Sequence, residues 1–398
     1  MKAFSLSALS TLFAGLTLAH PVDLKARSGF SDVDITILQF ALTLEHLENT
    51  FYQQAFNTFT LQHFLDAGFD EDFFLNLQFI ASDESAHVEL LQVAIQSAGI
   101  VPVAPCQYSF PVTDVASFVT LSAILESVGT SAYLGAAPFV GSKDILAVAA
   151  SIMVTEALHT SLQRSSLGGI GAADPFGTSL DANSVFTLAA QFIVSCPPEN
   201  PPLPFTAFPG LQVDAQPCFG EDSFATSAVE AAVTDVASAT ATYSTDTATV
   251  TDYVAAANAT ETAAETATET ASATESTMEM AMETPAPERL RARTDSLSCA
   301  APFAGSNVNL IPDFGASSHD FSQIVTIFVT FVSGLNVISV AATISSGTIS
   351  VSIPSGIGGQ VFIFITIIDI TGGKLSDSDV LFGPAIMEVA PAVPSLGH

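Results

Sequence analysis

Apolar side chains recur at i, i+3, i+4 and i+7 through residues 32–58, DVDITILQFALTLEHLENTFYQQAFNT, the spacing of one buried helical face. Ser31 or Asp32 stands where a cap would open that helix. A second run of the same kind covers about 70–98 and stops at Gly99. It is followed by GIVPVAPCQYSFPV, whose prolines forbid helix and favour an extended path. At ~3.3 Å per residue, that stretch is long enough to run the length of a helical bundle. Two more helical runs, about 112–138 and 143–166, are joined only by FVGSKD, so they are antiparallel neighbours. A shorter fifth run, about 182–195, opens after Asp181 and stops at Cys196-Pro197-Pro198. The prediction is a mainly α region: a four-helix bundle with a long crossover between helices two and three, plus a short fifth helix.

Other parts of the chain follow different rules. Residues 1–19, MKAFSLSALSTLFAGLTLA, carry Lys2, an uncharged apolar run and small residues ahead of His20, the pattern of a secretory signal peptide. Residues 20–29 read as a pro-segment or a disordered N-terminus, and 30–222 as the helical region. Residues 223–298 are rich in Ala, Thr, Ser and Glu without an apolar face, as in TATETASATEST, and read as a disordered linker that glycosylation could decorate. In 299–398, the runs IVTIFVTFV, NVISVAATI, GTISVSI and QVFIFITIIDI are β-branched and broken by Gly, Ser and Pro, the signature of a small all-β region. No charge occurs from 321 to 368, yet no uninterrupted apolar run there reaches ~18 residues, so strands are expected and a transmembrane anchor is not.

Charge narrows the partners. The formal net charge of −31 over 398 residues excludes nucleic acid, which needs basic surface. Between residues 30 and 222 the basic side chains are Lys143 and Arg164, against about twenty acids. Ion pairs can neutralise few of those acids, so the remainder are solvated or bound to metal. The four cysteines, Cys106, Cys196, Cys218 and Cys299, show no Cys-x-x-Cys spacing, and in a secreted chain they read as structural disulfides. Three pairings are open; Cys106 with Cys196 inside the helical region and Cys218 with Cys299 around the linker is the one favoured here.

Several of the acids fall on apolar helical faces. Glu84 and His87 stand one turn apart in FIASDESAHVELLQVAI, and Glu156 and His159 repeat that spacing in VTEALH. A single Glu-x-x-His is weak. The other two helices, however, each supply a glutamate in matched context: Glu45 with Tyr52 in LEHLENTFY, and Glu126 with Tyr133 in LESVGTSAY. The halves read Glu-x6-Tyr then Glu-x-x-His, twice. Four carboxylates and two imidazoles from four helices form a ligand set for two divalent ions, whose charge would balance the carboxylates. Oxygen-rich donors with one imidazole per ion suit Fe or Mn better than tetrahedral zinc. Tyr52 and Tyr133 can orient facing carboxylates, or fill the core as plain aromatics. Glu48, one turn from Glu45 on nearly the same face, has Gly129 as its counterpart in helix three; it either bridges or replaces Glu45 as a ligand, or stands beside the ligands or in solvent. His46 points away from the carboxylate face and His63 lies in a connection; both are expected at the surface.

The stretches LEHLENTFY, DESAHVELL, ILESVGTSAYLGAA and VTEALHTSLQR resemble the ferritin-like domain of fungal secreted proteins described as stress-response or late-sexual-development proteins, related to plant desiccation proteins. The resemblance covers about 30–222, and the final FGPAIMEV is also similar to that group. It implies a ferritin-like bundle and, by analogy with di-iron carboxylate proteins, metal ligation at Glu45, Glu84, His87, Glu126, Glu156 and His159. The function expected is a secreted dinuclear metal protein with oxidoreductase capacity toward O2 or peroxide, in stress protection or development. Sequestration of metal, or a structural role in cell wall, spore or fruiting body, stands as the alternative.

Overall fold

The computed structural model describes residues 30–214 and 301–392, apart from 320, 322, 323 and 325. The expectations for residues 1–29, for 223–298 and for the pairing of Cys218 with Cys299 lie outside the described residues.

Helix α1 (Asp32–Thr58) opens on a reciprocal cap: the Ser31 hydroxyl accepts the Asp34 N–H, and the Asp34 carboxylate accepts the Ser31 N–H. A short helix α2 (Leu61–Asp66) carries His63, exposed as expected. Helix α3 (Glu71–Ser97) is capped by Asp70, whose Oδ1 accepts from Phe73 N at 2.8 Å, and ends against Gly99 at φ +76°. Helix α4 (Val115–Ala136) starts later than its apolar pattern suggests, because the Asp114 side chain accepts the Ser117 N–H and fixes the first turn there. Helix α5 (Lys143–Ser166) occupies its predicted span. α1 packs along α3 and α4 along α5, giving the bundle. Val115–Phe139 and α5 have the length and mean hydropathy of a membrane span, but both belong to this bundle and carry glutamates turned into it.

Asp34 also fastens the turn before α5, accepting from Gly141 N at 2.8 Å and Ser142 N at 3.3 Å. Burial pushes its carboxyl up, but the hydrogen bonds from Ser31, Gly141 and Ser142 outweigh burial and hold it below its ordinary value of 3.8. A carboxyl held low by folding contributes stability above its unfolded pKa and loses it as pH falls through the folded value. Asp34→Ala is expected to lower the unfolding free energy by about 1–3 kcal/mol at neutral pH. Denaturant melts should show the gap from wild type shrinking once pH drops below 3.8.

The Pro-rich crossover lies on α1. Gln39 accepts the Val103 N–H at 2.8 Å and donates to the Val101 carbonyl at 2.7 Å. His46 is buried there with Nε2 3.1 Å from the Val103 carbonyl, which corrects the surface placement read from sequence. It does point away from the carboxylates, as expected; the crossover simply covers that side. Strand β1 (Gln107–Tyr108) pairs with β2 (Ile193–Ser195), and the Cys106–Cys196 disulfide adjoins the pair. Helix α6 (Ala182–Ala190) therefore ends sooner than predicted: Ile193 and Val194 are β-branched and lie in the extended pair.

Strands β3 (Leu211–Val213), β4 (Asn307–Pro312), β7 (Ile344–Ser345) and β8 (Thr348–Ser352) form one sheet in the order β3-β4-β8-β7. Strands β5 (Ile327–Ser333), β6 (Asn336–Ala342), β9 (Gly359–Thr366) and β10 (Val380–Val389) form the other, β10-β9-β5-β6, and all adjacent pairs are antiparallel. One face of the second sheet shares a core with the first through Val329, Phe331 and Ile363; its other face joins the helical core through Val332, Phe362 and Phe364. Burial on both faces is why β9 reads as a continuous apolar run rather than an alternating one. β3 precedes residues 223–298 and its partner β4 follows them.

Candidate metal centre

Helical spacing places Glu84 and His87 on one face of α3, and Glu156 and His159 on one face of α5. α1 brings Glu45, and α4 brings Glu126, to the same point between them. All six are buried, and Glu84, Glu126 and Glu156 are 0 % exposed.

Both imidazoles turn Nδ1 inward. His87 Nδ1 lies 3.3 Å from Glu45 Oε2, 3.4 Å from Glu84 Oε2 and 3.3 Å from Glu156 Oε1. His159 Nδ1 lies 3.0 Å from Glu126 Oε2 and 3.2 Å from Glu84 Oε1. A ring N–H cannot serve several acceptors well. Despite these approaches, Glu45 Oε2, Glu84 Oε1 and both oxygens of Glu156 have no hydrogen bond of acceptable geometry. Orphaned buried carboxylate oxygens are costly, and a bound cation would satisfy them.

The donors fit that answer. Glu45, Glu84, His87 and Glu156 form one set, and Glu84, Glu126, Glu156 and His159 a second; within each, the ligand atoms lie within 4.8 Å of one another. Glu84 and Glu156 belong to both sets, and these buried carboxylate and imidazole groups could bind divalent metal.

Around the donors the tyrosines cross over. Tyr52 of α1 donates to Glu126 of α4, and Tyr133 of α4 donates to Glu45 of α1. Each therefore orients a carboxylate on the facing helix, and burial pushes both phenols up, with the accepting glutamate's charge adding to it. Two positions were not singled out from sequence. Gln163 donates to Tyr52 Oη at 2.6 Å. Asp83 meets His159 Nε2 at 3.2 Å, so His159 is held from behind while Nδ1 faces the carboxylates. Asp83 precedes Glu84 and has to reach another helix, which no local pattern reports.

The carboxylates show their crowding. Burial first, and the charge of Glu126 second, push Glu84 up to about 8. Burial also raises Glu156 and Glu48 well above the usual carboxylate range, with Glu84's charge next in importance for each. For His87 burial works downward, but the close approach of the Glu45 and Glu84 carboxylates prevails and raises it to about 10. His159 is raised to about 10 in the same way by Glu126 and Glu84. Glu48 is buried beside the set, although it belongs to neither group of converging donors.

Residues 33–169 match the family model of the ferritin-like domain, in keeping with the bundle and crossover described above. Protein rds1 of Schizosaccharomyces pombe is 29 % identical over 190 residues, which cover 47 % of this chain and 46 % of that protein. The match thus spans about half the length of that curated relative. Among solved structures, a conserved hypothetical protein from Mycobacterium tuberculosis aligns with 16 % identity over 37 % of this chain and 97 % of its own, at a TM-score of 0.30.

Proposed function

We propose that this chain is a dinuclear metal protein that takes Fe or Mn and has oxidoreductase activity toward O2 or peroxide. The observation that carries it is the set of orphaned carboxylate oxygens on Glu45, Glu84 and Glu156 at the meeting point of two Nδ1 atoms. Glu45 and His87 would hold one ion and Glu126 and His159 the other, with Glu84 and Glu156 between them. Bound there, such a pair supplies electrons to an oxidant and polarises it. The chain's own residues do the rest. Tyr52 and Tyr133 fix the orientation of Glu126 and Glu45, Gln163 fixes Tyr52, and the Phe-rich core around Phe51 and Phe118 keeps water out. The apolar N-terminal segment, together with the Cys106–Cys196 bridge, supports placement in an oxidising, secreted compartment. Protection against oxidative or desiccation stress is the role proposed there.

Elemental mass spectrometry on protein purified without chelators tests this directly. About two Fe or Mn per chain are expected. A folded protein that takes up neither, even after anaerobic addition of Fe(II) or Mn(II), would sink the reading; two ions without consumption of oxygen or peroxide would leave sequestration.

The two positions should differ. His159 has Asp83 behind it, and no carboxylate is found on the far ring nitrogen of His87 among the described residues. Asp83→Ala is expected to weaken one position roughly 10–100-fold and leave the other unchanged. Chelator competition should show one of two release steps moved.

A further inference from the structure

Glu48 is a buried acceptor without an obvious purpose. It is 5 % exposed, and among the described residues it has no hydrogen-bond partner. It also lines a pocket of about 350 Å³ that lies between the helices and the sheets. Leu125 and Val128 of α4, Leu188 of α6, Phe192 beyond it, Val213 of β3 and Ile386 of β10 make the walls apolar.

Gly129 joins this pocket to the carboxylates. A Cβ at that position would sit 2.7 Å from Glu156 Oε2 and 3.1 Å from Glu48 Oε1. With no side chain there, the Glu156 and Glu48 oxygens can both approach the α4 backbone closely, and Gly129 and Glu48 line the pocket together. The duplicated pattern of the helices, which would place a counterpart of Glu48 at this site, is broken where the pocket opens.

We propose that this pocket binds a small amphiphilic molecule with a hydrogen-bond-donating head, an alcohol or an amine, which sits at Glu48 with its apolar body along the α4, α6 and sheet walls. An unpartnered carboxylate asks for a donor. An anionic head is disfavoured because the walls are apolar and, among the described residues, no basic side chain lines the pocket to offset its desolvation. The volume falls in the range of small-molecule sites, where apolar walls with one placed polar group are usual. Glu48 lies outside the sets of converging donors, so the pocket is distinct from the ion positions. The binding stands on these observations alone.

Calorimetric titration of the full chain with hexan-1-ol, hexylamine and hexanoate, metal-free and after Fe(II) or Mn(II) addition, tests the proposal. The alcohol or the amine should bind and hexanoate should not; the one that binds identifies a neutral or an ionised head. Glu48→Leu should weaken that binding about tenfold or more while the number of metal ions per chain stays unchanged. Val213→Phe, which fills the pocket from the sheet side, should weaken it too, and serves alone if Glu48→Leu does not fold. Binding of neither probe, equal binding in both variants, or loss of a metal ion in Glu48→Leu would overturn the proposal. If wild type takes no metal yet binds a probe through Glu48, the dinuclear reading fails and the pocket stands.

Discussion

Stripping divalent metal at pH 7 will lower the melting temperature by roughly 10 °C or more, and stripped Glu84→Gln/Glu156→Gln will melt higher than stripped wild type. Ligand that binds only the folded state at a thousandfold excess over its Kd contributes about 4 kcal/mol per site. In a domain of this size, each kcal/mol moves the midpoint by roughly 2–4 °C. The glutamines keep the side-chain volume and remove the charges of the two residues common to both donor sets. Their benefit is confined to the metal-free state, since with metal present the same substitutions abolish the stabilisation. Calorimetric melts of the four samples decide the matter. Equal midpoints for stripped and loaded wild type would mean that the carboxylates are not a buried cation site.

The pH dependence of that experiment has a fixed sign. Glu84 is raised to about 8, and Glu156 and Glu48 are raised as well. Folding therefore favours proton uptake by these carboxyls, and stability falls as pH climbs from their ordinary 4.5 through the folded values. His87 and His159, raised to about 10, contribute stability that is complete below 6.5 and lost as pH rises through 10. Both slopes have the same direction, so metal-free protein should melt progressively lower from mildly acidic to alkaline solution. Loading works oppositely, since binding metal displaces these protons and tightens with pH. The midpoint gap between loaded and stripped protein should widen with pH; a gap that narrows would place the protons elsewhere.

The centre was legible because its donors obey helical spacing. Glu84 with His87, and Glu156 with His159, share a turn, and the Leu-Glu context of Glu45 and Glu126 repeats with Tyr seven residues on. What remained hidden depends on segments brought from far along the chain. His46 is buried by the crossover at Val103, and Asp83 meets a histidine on α5. The last residues predicted for α6 become β2 because Cys106 and Gln107 wait beside them. Likewise, the uncharged stretch from 321 to 368 announces strands, but that one sheet is covered by a second sheet and by helices is a fact of packing that the pattern does not carry.

Arg164→Met is expected to cost about 3–5 kcal/mol, and Glu388→Leu added to it should restore much of the loss. Arg164 is one of two basic side chains in residues 30–222, and it is 4 % exposed. Its guanidinium donates to both carboxylate oxygens of Glu388 on β10, with Nη1 to Oε2 at 2.7 Å, and its Nε donates to the Ile170 carbonyl at 3.0 Å. The pair therefore ties α5 to the inner sheet. Burial pushes Glu388 up, Arg164 opposes this, and the carboxyl stays raised, so without the guanidinium the charge has nothing to offset its desolvation. Met keeps the apolar stem of Arg164, which separates lost charge pairing from lost packing. In denaturant melts, the asymmetry between single and double variants is the discriminating result: a double as unstable as Arg164→Met would locate the cost in packing, whereas recovery assigns it to an orphaned buried carboxylate.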